Sequence, residues 1–430
     1  MNKTKQTFIF GFAIFAAFFG AGNLILPPLL GFRSGPDWWL VAFGFIISAT
    51  IIPLLALFGH AKLQGTMLNF GNKVSPLFSL IFCLCIYVIT IALPCPRTAA
   101  VTHEMAILPY FGVSSLVTST VYFVLAFVFV MNRNNVLDIL GKYLTPIIVV
   151  ILIVIILIGI FSPSTGTNPS ILETPPIVSG LLEGYQTYDA MAGLLTGGIL
   201  VISVKKFNKE MSFKEMKSMI ARSGLIAMSG LFIIYMGLIF IGSTFNAQFP
   251  EDISRSQLLF ELSNRTLGNI GGTFLSVLVA LACFTTAVGI IVGTADFFQG
   301  LFKNSKRAYL ITAIISCFIG IGVGQMDVSN IIEVAFPALM FIYPLAIVLI
   351  ILNILPEKYA SKQVFRAVVL AAFIFSIPDF MSFLIPAEKL ESITSIIPFS
   401  KFKLGWVLPA LLAFIIVNII TAKNKEPIKN

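Results

Sequence analysis

Phe18-Phe19-Gly20-Ala21-Gly22-Asn23-Leu24-Ile25-Leu26-Pro27-Pro28 sits inside the first apolar stretch of the chain. The flanking residues suit a helix that crosses a membrane, yet two glycines, an asparagine and two prolines interrupt it. An interior glycine costs about 1 kcal/mol relative to alanine in a helix. Backbone groups left free in hydrocarbon cost several times more unless something meets them. A break at this depth is therefore expected where unwound backbone lines a cavity and holds a ligand.

The rest of the chain supplies the membrane setting. It is 57% hydrophobic and 11% charged, too few charges to solvate the surface of a soluble protein of 430 residues. Runs such as Ile147 to Phe161 and Val407 to Ile420 approach the roughly 20 apolar residues needed to cross a bilayer. Hydropathy divides the chain into about twelve spans, near 7–31, 38–61, 74–104, 113–131, 140–162, 178–203, 220–245, 270–300, 308–325, 329–354, 365–386 and 405–422. Short connections with turn residues join them, so the expectation is a single all-α transmembrane domain over 1–430.

The net charge of +9 does not indicate nucleic acid, because the basic residues lie in short loops and build no continuous face. With the N-terminus placed in the cytoplasm, alternate loops collect all of the 28 lysines and arginines but Arg33, Arg97, Arg255, Arg265, Lys389, Lys401 and Lys403. That bias predicts both termini inside. Lys3 and Lys5 precede the first apolar run, but no small-residue cleavage site follows, so the run reads as a retained helix. Cys83, Cys85, Cys95, Cys283 and Cys317 all lie in apolar segments without metal-ligand spacing and read as small buried side chains.

A second interruption occurs in the sixth span: Glu183-Gly184-Tyr185-Gln186-Thr187-Tyr188-Asp189-Ala190-Met191-Ala192-Gly193. Spans one and six open two successive groups of five, and interrupted helices at corresponding positions point to a transporter's binding site. Close helix packing at small residues is the competing reading for Gly20 and Gly22. Opposed half-helices offer N–H groups to an anion and C=O groups to a cation, which suits a zwitterion. Phe18, Phe19, Leu24, Tyr185 and Tyr188 make the surroundings apolar, and no lysine or arginine lies in either break. A small neutral amino acid with an apolar side chain is expected.

Span eight carries Ala282-Cys283-Phe284-Thr285-Thr286. The two hydroxyls either bond back to the carbonyl four residues earlier or join free carbonyls around a sodium ion. Intramembrane carboxylates default to functional hypotheses. Here they are Glu183, Asp189, Glu333 and Asp379. Asp189 is open to three roles: proton site, cation ligand, or acceptor for the other half-helix. Arg97 and Glu104, seven apart on span three, read as a structural ion pair near its outer end.

The run Phe19 to Pro28, together with Leu182 to Ala190, resembles the branched-chain amino acid:cation symporters, the system II carriers for leucine, isoleucine and valine. The likeness extends over essentially the whole chain. It implies a LeuT-type fold with two inverted five-helix repeats (about 7–162 and 178–354) and two peripheral helices (about 365–422). It also implies sodium-coupled uptake across a bacterial inner membrane. On that likeness the substrate site comprises Phe19, Gly20, Ala21, Gly22, Asn23, Tyr185, Gln186 and Thr187, the glycine-rich N–H groups taking the carboxylate. The sodium site comprises Ala16, Phe19, Ala282, Thr285 and Thr286, while Glu183 and Asp189 serve coupling or gating. Sodium is the coupling ion, with no organic cofactor and no obligatory protein partner.

A channel would need a continuous polar lining, and the polar residues are confined to the breaks. Enzyme motifs such as His-Glu-x-x-His, Gly-x-Ser-x-Gly and the phosphate-binding glycine loop do not occur. A proton-coupled or other cation-coupled carrier of a different neutral solute is the alternative within the transporter class.

Overall fold

Apolar runs of helical length become helices in the computed structural model, which describes residues 3–132, 136–162, 167–207 and 211–423. No strand occurs among them. Helices α1 (Lys3–Phe18) and α2 (Ala21–Ser34) flank the first break. Next, α3 (Trp38–Ile46) and α4 (Ile52–Leu63) are joined through a π turn at Ile47–Ile51. The short α5 (Leu68–Gly71) leads to α6 (Pro76–Ala92), α7 (Pro94–Thr102), α8 (Ser115–Asn132) and α9 (Val136–Phe161). Helices α10 (Pro176–Tyr185) and α11 (Asp189–Phe207) flank the second break and are bent by 44°. Then come α12 (Phe213–Thr244), α13 (Arg255–Leu301), α14 (Lys306–Gly324) and α15 (Val328–Ile354). The chain closes with α16 (Lys362–Met381), α17 (Ala387–Thr394) and α18 (Val407–Lys423).

Serine caps set several starts: Ser75, Ser212, Ser254, Ser305 and Ser361 each accept the backbone N–H three residues on. Among the described residues nine stretches are long and apolar enough to cross a membrane, or ten with α10–α11 counted as one bent span. One boundary differs from the hydropathy reading. The segment before 270 is helical from Arg255, because Ser254 and Gln257 form a capping box there. Gly268, at φ +72, divides this outer segment from the span proper.

Burial follows a lipid-facing pattern. On α8, Val117, Val121, Val124 and Val128 are exposed, whereas Ser119, Phe123, Ala126 and Val130 are buried. An apolar outer face of this kind is stable in hydrocarbon and marks a multi-pass membrane protein. Lysines gather at one end: Lys62 Nζ donates to Leu355 O (2.5 Å), Lys73 to Ala360 O (3.3 Å) and Lys205 to Gln64 O (3.0 Å).

Each interrupted helix runs along an uninterrupted rod. The pair α1–α2 lies against α12, and α10–α11 against α3–α4. Glycines permit the approach. A Cβ on Gly31 would strike the Ile239 carbonyl, and one on Gly242 the Pro28 carbonyl. Gly44 and Gly180 repeat the arrangement against Ile177 O and Val41 O. These contacts bring the two breaks to the same place.

Candidate substrate site at the two helix breaks

The first break arises because the α1 ladder ends with Phe19 N–H on Phe15 O (2.9 Å). Gly20 then turns extended (φ −121, ψ −172) and donates its N–H to Asn23 Oδ1 (3.1 Å) rather than back to Ala16. Downstream, Pro27 and Pro28 lie inside α2 and have no N–H for the carbonyls of Asn23 and Leu24. The break is therefore rich in uncommitted backbone. Gly20 faces Thr286: a Cβ there would lie 3.5 Å from Thr286 Cγ2 and 3.6 Å from Oγ1. Gly22 faces Arg97, and a Cβ there would collide with the guanidinium.

The second break is a tightened turn. Gln186, Thr187 and Tyr188 donate their N–H groups to Glu183, Gly184 and Tyr185 carbonyls at 3.0, 3.2 and 3.1 Å. Tyr188 is left-handed at φ +63, a conformation that costs a non-glycine residue about 1–2 kcal/mol. Thr187 Oγ1 donates to Gly184 O (2.8 Å) and accepts the Asp189 N–H (3.2 Å), which fixes the start of α11.

One network ties the breaks together. Asn23 Nδ2 donates to Asp189 Oδ1 (3.0 Å) and Oδ2 (2.9 Å), and Tyr235 Oη donates to Asp189 Oδ2 (2.8 Å). Asn23 Nδ2 also closely approaches Tyr235 Oη. All three side chains are buried. Of the three roles open to Asp189, the geometry supplies acceptance from the other half-helix.

Around this network lie polar atoms with no partner in the protein. Gln186 is fully buried, and both atoms of its side-chain amide lack a hydrogen bond. The same holds for the hydroxyls of Tyr185, Tyr188 and Tyr343. Tyr185 and Tyr343 are stacked with centroids 4.2 Å apart. Native interiors rarely leave such groups unmet, so this is where a polar ligand fits.

The span-eight hydroxyls do bond back: Thr285 and Thr286 Oγ1 donate to Ala282 O at 3.0 and 2.9 Å. Their protons are spent and their lone pairs remain. Thr286 also faces Gly20, whose N–H goes to Asn23 Oδ1 and leaves the Ala16 carbonyl without its usual helical donor. This donor set of hydroxyl and carbonyl oxygens suits a hard monovalent cation.

One sequence expectation needs correction. Arg97 does not pair with Glu104. Glu104 Oε1 accepts the Val328 N–H at the start of α15 (2.8 Å), while Arg97 Nη1 donates to Gln186 O (2.7 Å). Arg97 thus brings a cation to the breaks from α7, although neither break contains one in sequence. Glu183, expected to serve coupling or gating, is ion-paired with Arg255 (2.9 Å). Tyr235 and Tyr343 went unnoticed as site residues because each is an ordinary aromatic in an apolar helix, with no local signal of its destination.

These features define a class: a helical membrane carrier with two discontinuous helices that meet at a candidate site. Solved structures with this architecture include the inward-facing Mhp1 (TM-score 0.55, 13% identity, covering 97% of this chain and 91% of that one). A sodium-coupled sialic acid symporter in a substrate-bound outward-open state is also similar (TM-score 0.58, 14% identity, covering 96% and 89%). At this identity the likeness concerns the fold.

A family profile, Branched-chain amino acid transport protein, matches residues 3–424, and the chain belongs to that family. Its relatives are transport proteins and not enzymes. The branched-chain amino acid transport system 2 carrier protein of Pseudomonas aeruginosa is 31% identical over 418 residues, 94% of each chain. The branched-chain amino acid permease BrnQ of Corynebacterium glutamicum is 32% identical over 417 residues, 96% of this chain and 94% of that one.

Proposed function

We propose that the protein is a sodium-coupled symporter that imports leucine, isoleucine and valine across a bacterial cytoplasmic membrane by alternating access. Family membership supports the substrate class. The observation that carries the mechanism is the Asn23–Asp189 bond, which joins the two discontinuous helices at one buried point.

In this reading the chain has twelve spans, with α1 to α9 and α10 to α15 as inverted repeats, α16 and α18 peripheral, and both termini inside. The mirrored packing of each broken helix on a rod of the other half supports the repeat. Backbone around Gly20, Ala21 and Gly22 receives the amino acid's charged end, with Phe19 and Asn23 shaping the pocket. Tyr185, Gln186 and Thr187 surround its remainder.

Sodium, as co-transported cargo, is held by Thr285 and Thr286 hydroxyls and the Ala16 and Phe19 carbonyls, with Ala282 fixing both hydroxyls. One charge moving down about 100 mV is worth about 2.3 kcal/mol, enough to drive accumulation. A proton-coupled mechanism is the second reading. It is favoured by the buried Asp189, whose carboxylate lies among an amide and a phenol without a cation bonded to it.

The test is uptake of radiolabelled leucine into proteoliposomes with and without an inward sodium gradient, for the wild type and Thr286→Ala. Sodium-dependent accumulation that collapses in the variant is expected. Accumulation that follows only a proton gradient moves the coupling to Asp189. Absence of leucine uptake under both gradients overturns the substrate assignment.

A further inference from the structure

Arg97 is the anomaly of the interior. It is 3% exposed, and a buried guanidinium ordinarily has a carboxylate partner, because an unpaired charge in low dielectric costs several kcal/mol. Among the described residues no carboxylate oxygen lies within 4.0 Å of it. Glu104, its neighbour on the same span, is engaged with Val328, and both oxygens of Asp189 are taken by Asn23 and Tyr235. The guanidinium spends one N–H on Gln186 O, lies 5.2 Å from the Tyr188 ring, and leaves Nε without a partner.

Its position is as specific as its lack of a counter-ion. The Nη2 end packs on Gly22, the second residue of α2, where only the missing side chain leaves room for it. The first N–H groups of a helix have no intrahelical acceptor and carry the positive end of the helix dipole. A fixed cation and a helix N-terminus therefore converge on one point, from two different spans. Two positive elements meet here, and the carboxylate nearest them, Asp189, is bonded to Asn23 and Tyr235 and not to the guanidinium. The arrangement is stable when a carboxylate bridges them.

We infer that Arg97 is the anchor for the substrate's α-carboxylate, acting jointly with the N-terminus of α2. This rests on the amino-acid carrier reading above and adds a specificity-determining residue to it. The consequence concerns which part of the substrate is essential. A planar guanidinium recognises a carboxylate through two directed, charge-assisted N–H bonds and gains much less from a neutral amide or alcohol. The apolar side chain of the substrate is left to the aromatic wall of Tyr185 and Tyr343, a less demanding form of selection.

Competition against radiolabelled leucine uptake in proteoliposomes tests this, with leucinamide and leucinol as the analogues whose carboxylate is replaced by a neutral group. In the wild type, leucine should compete about 10- to 100-fold better than leucinamide or leucinol, the range for a charge-assisted pair. In Arg97→Gln that ratio should fall to within about threefold, even where residual uptake is slow. Arg97→Lys, which keeps a charge without the fork, should retain the ratio with a KM for leucine raised about tenfold.

A wild type that takes up leucine yet is inhibited equally by leucinamide overturns the anchor and leaves the carrier reading standing. An Arg97→Gln protein that keeps the wild-type ratio overturns it as well, since a merely structural arginine lowers uptake without changing the ratio. If Arg97→Gln does not elute as a folded species, Arg97→Lys decides: unchanged KM and unchanged ratio overturn the anchor. Absence of leucine uptake by the wild type removes the carrier reading, and the anchor with it.

Discussion

The two breaks do the same topological job with opposite chemistry. The first, at Gly20 to Asn23, presents backbone: its glycines recede, and side chains from elsewhere, Thr286 and Arg97, come up to them. The second, at Gln186 to Asp189, presents side chains: Gln186, Tyr188 and Asp189 are all buried and turned into the site. No glycine relieves its left-handed residue, which is Tyr188 at φ +63. A break can thus be made by removing side chains or by tolerating strain, and the two routes leave different functional groups in the cavity.

The largest expected effect tests the link between the two breaks. Asp189→Ala strands the Asn23 amide and the Tyr235 hydroxyl, each a buried donor whose loss of partner costs about 1–3 kcal/mol. Leucine uptake should fall at least about 100-fold and the melting temperature should drop, whereas Asp189→Asn should recover part of both. Uptake and a thermal melt of the purified protein check this together.

Next is the backbone break. Gly22→Ala places a methyl against the Arg97 guanidinium, an overpacking cost of about 1–3 kcal/mol. Transport should fall about 10- to 100-fold. The equivalent change at Gly20, where a Cβ meets Thr286 at ordinary contact distance, should be milder. Equal effects at the two glycines would break the contrast between a crowded and a roomy position.

Thr286→Ala removes a hydroxyl that faces this break without disturbing the helix that carries it. The expected result is that accumulation collapses at the sodium gradient that drives the wild type and returns only with about tenfold more sodium, read from uptake across a sodium titration. The smallest effect belongs to the second break. Tyr185→Phe deletes a hydroxyl that has no partner in the protein, so stability should change by less than about 0.5 kcal/mol. Any change in leucine KM then reports a contact made by the bound substrate.

Both breaks were legible in the sequence because Gly20, Gly22, Asn23 and the polar run from Glu183 to Asp189 violate the rules for apolar helices. Such violations are local and need no knowledge of neighbours. Arg97 and Tyr235 were not legible in the same way. An arginine seven residues from a glutamate satisfies a one-dimensional rule for an ion pair, and only the non-helical Leu93 (φ −123, ψ −70) before α7 and the packing of α7 beside α13 and α2 accompany its placement at the breaks. The outer part of α13 was missed for a simpler reason. Hydropathy sees spans and is blind to a polar helix at the surface, although Ser254 and Gln257 carried the capping signal.

The contact between Gly22 and Arg97 also constrains how such a chain can change over generations. Any side chain at 22 is obstructed while the guanidinium occupies that space. Position 22 can therefore diversify only as far as the end of the residue 97 side chain gives way, which couples the two positions. Two positions that are 75 residues apart in the sequence are thereby coupled in what each can become.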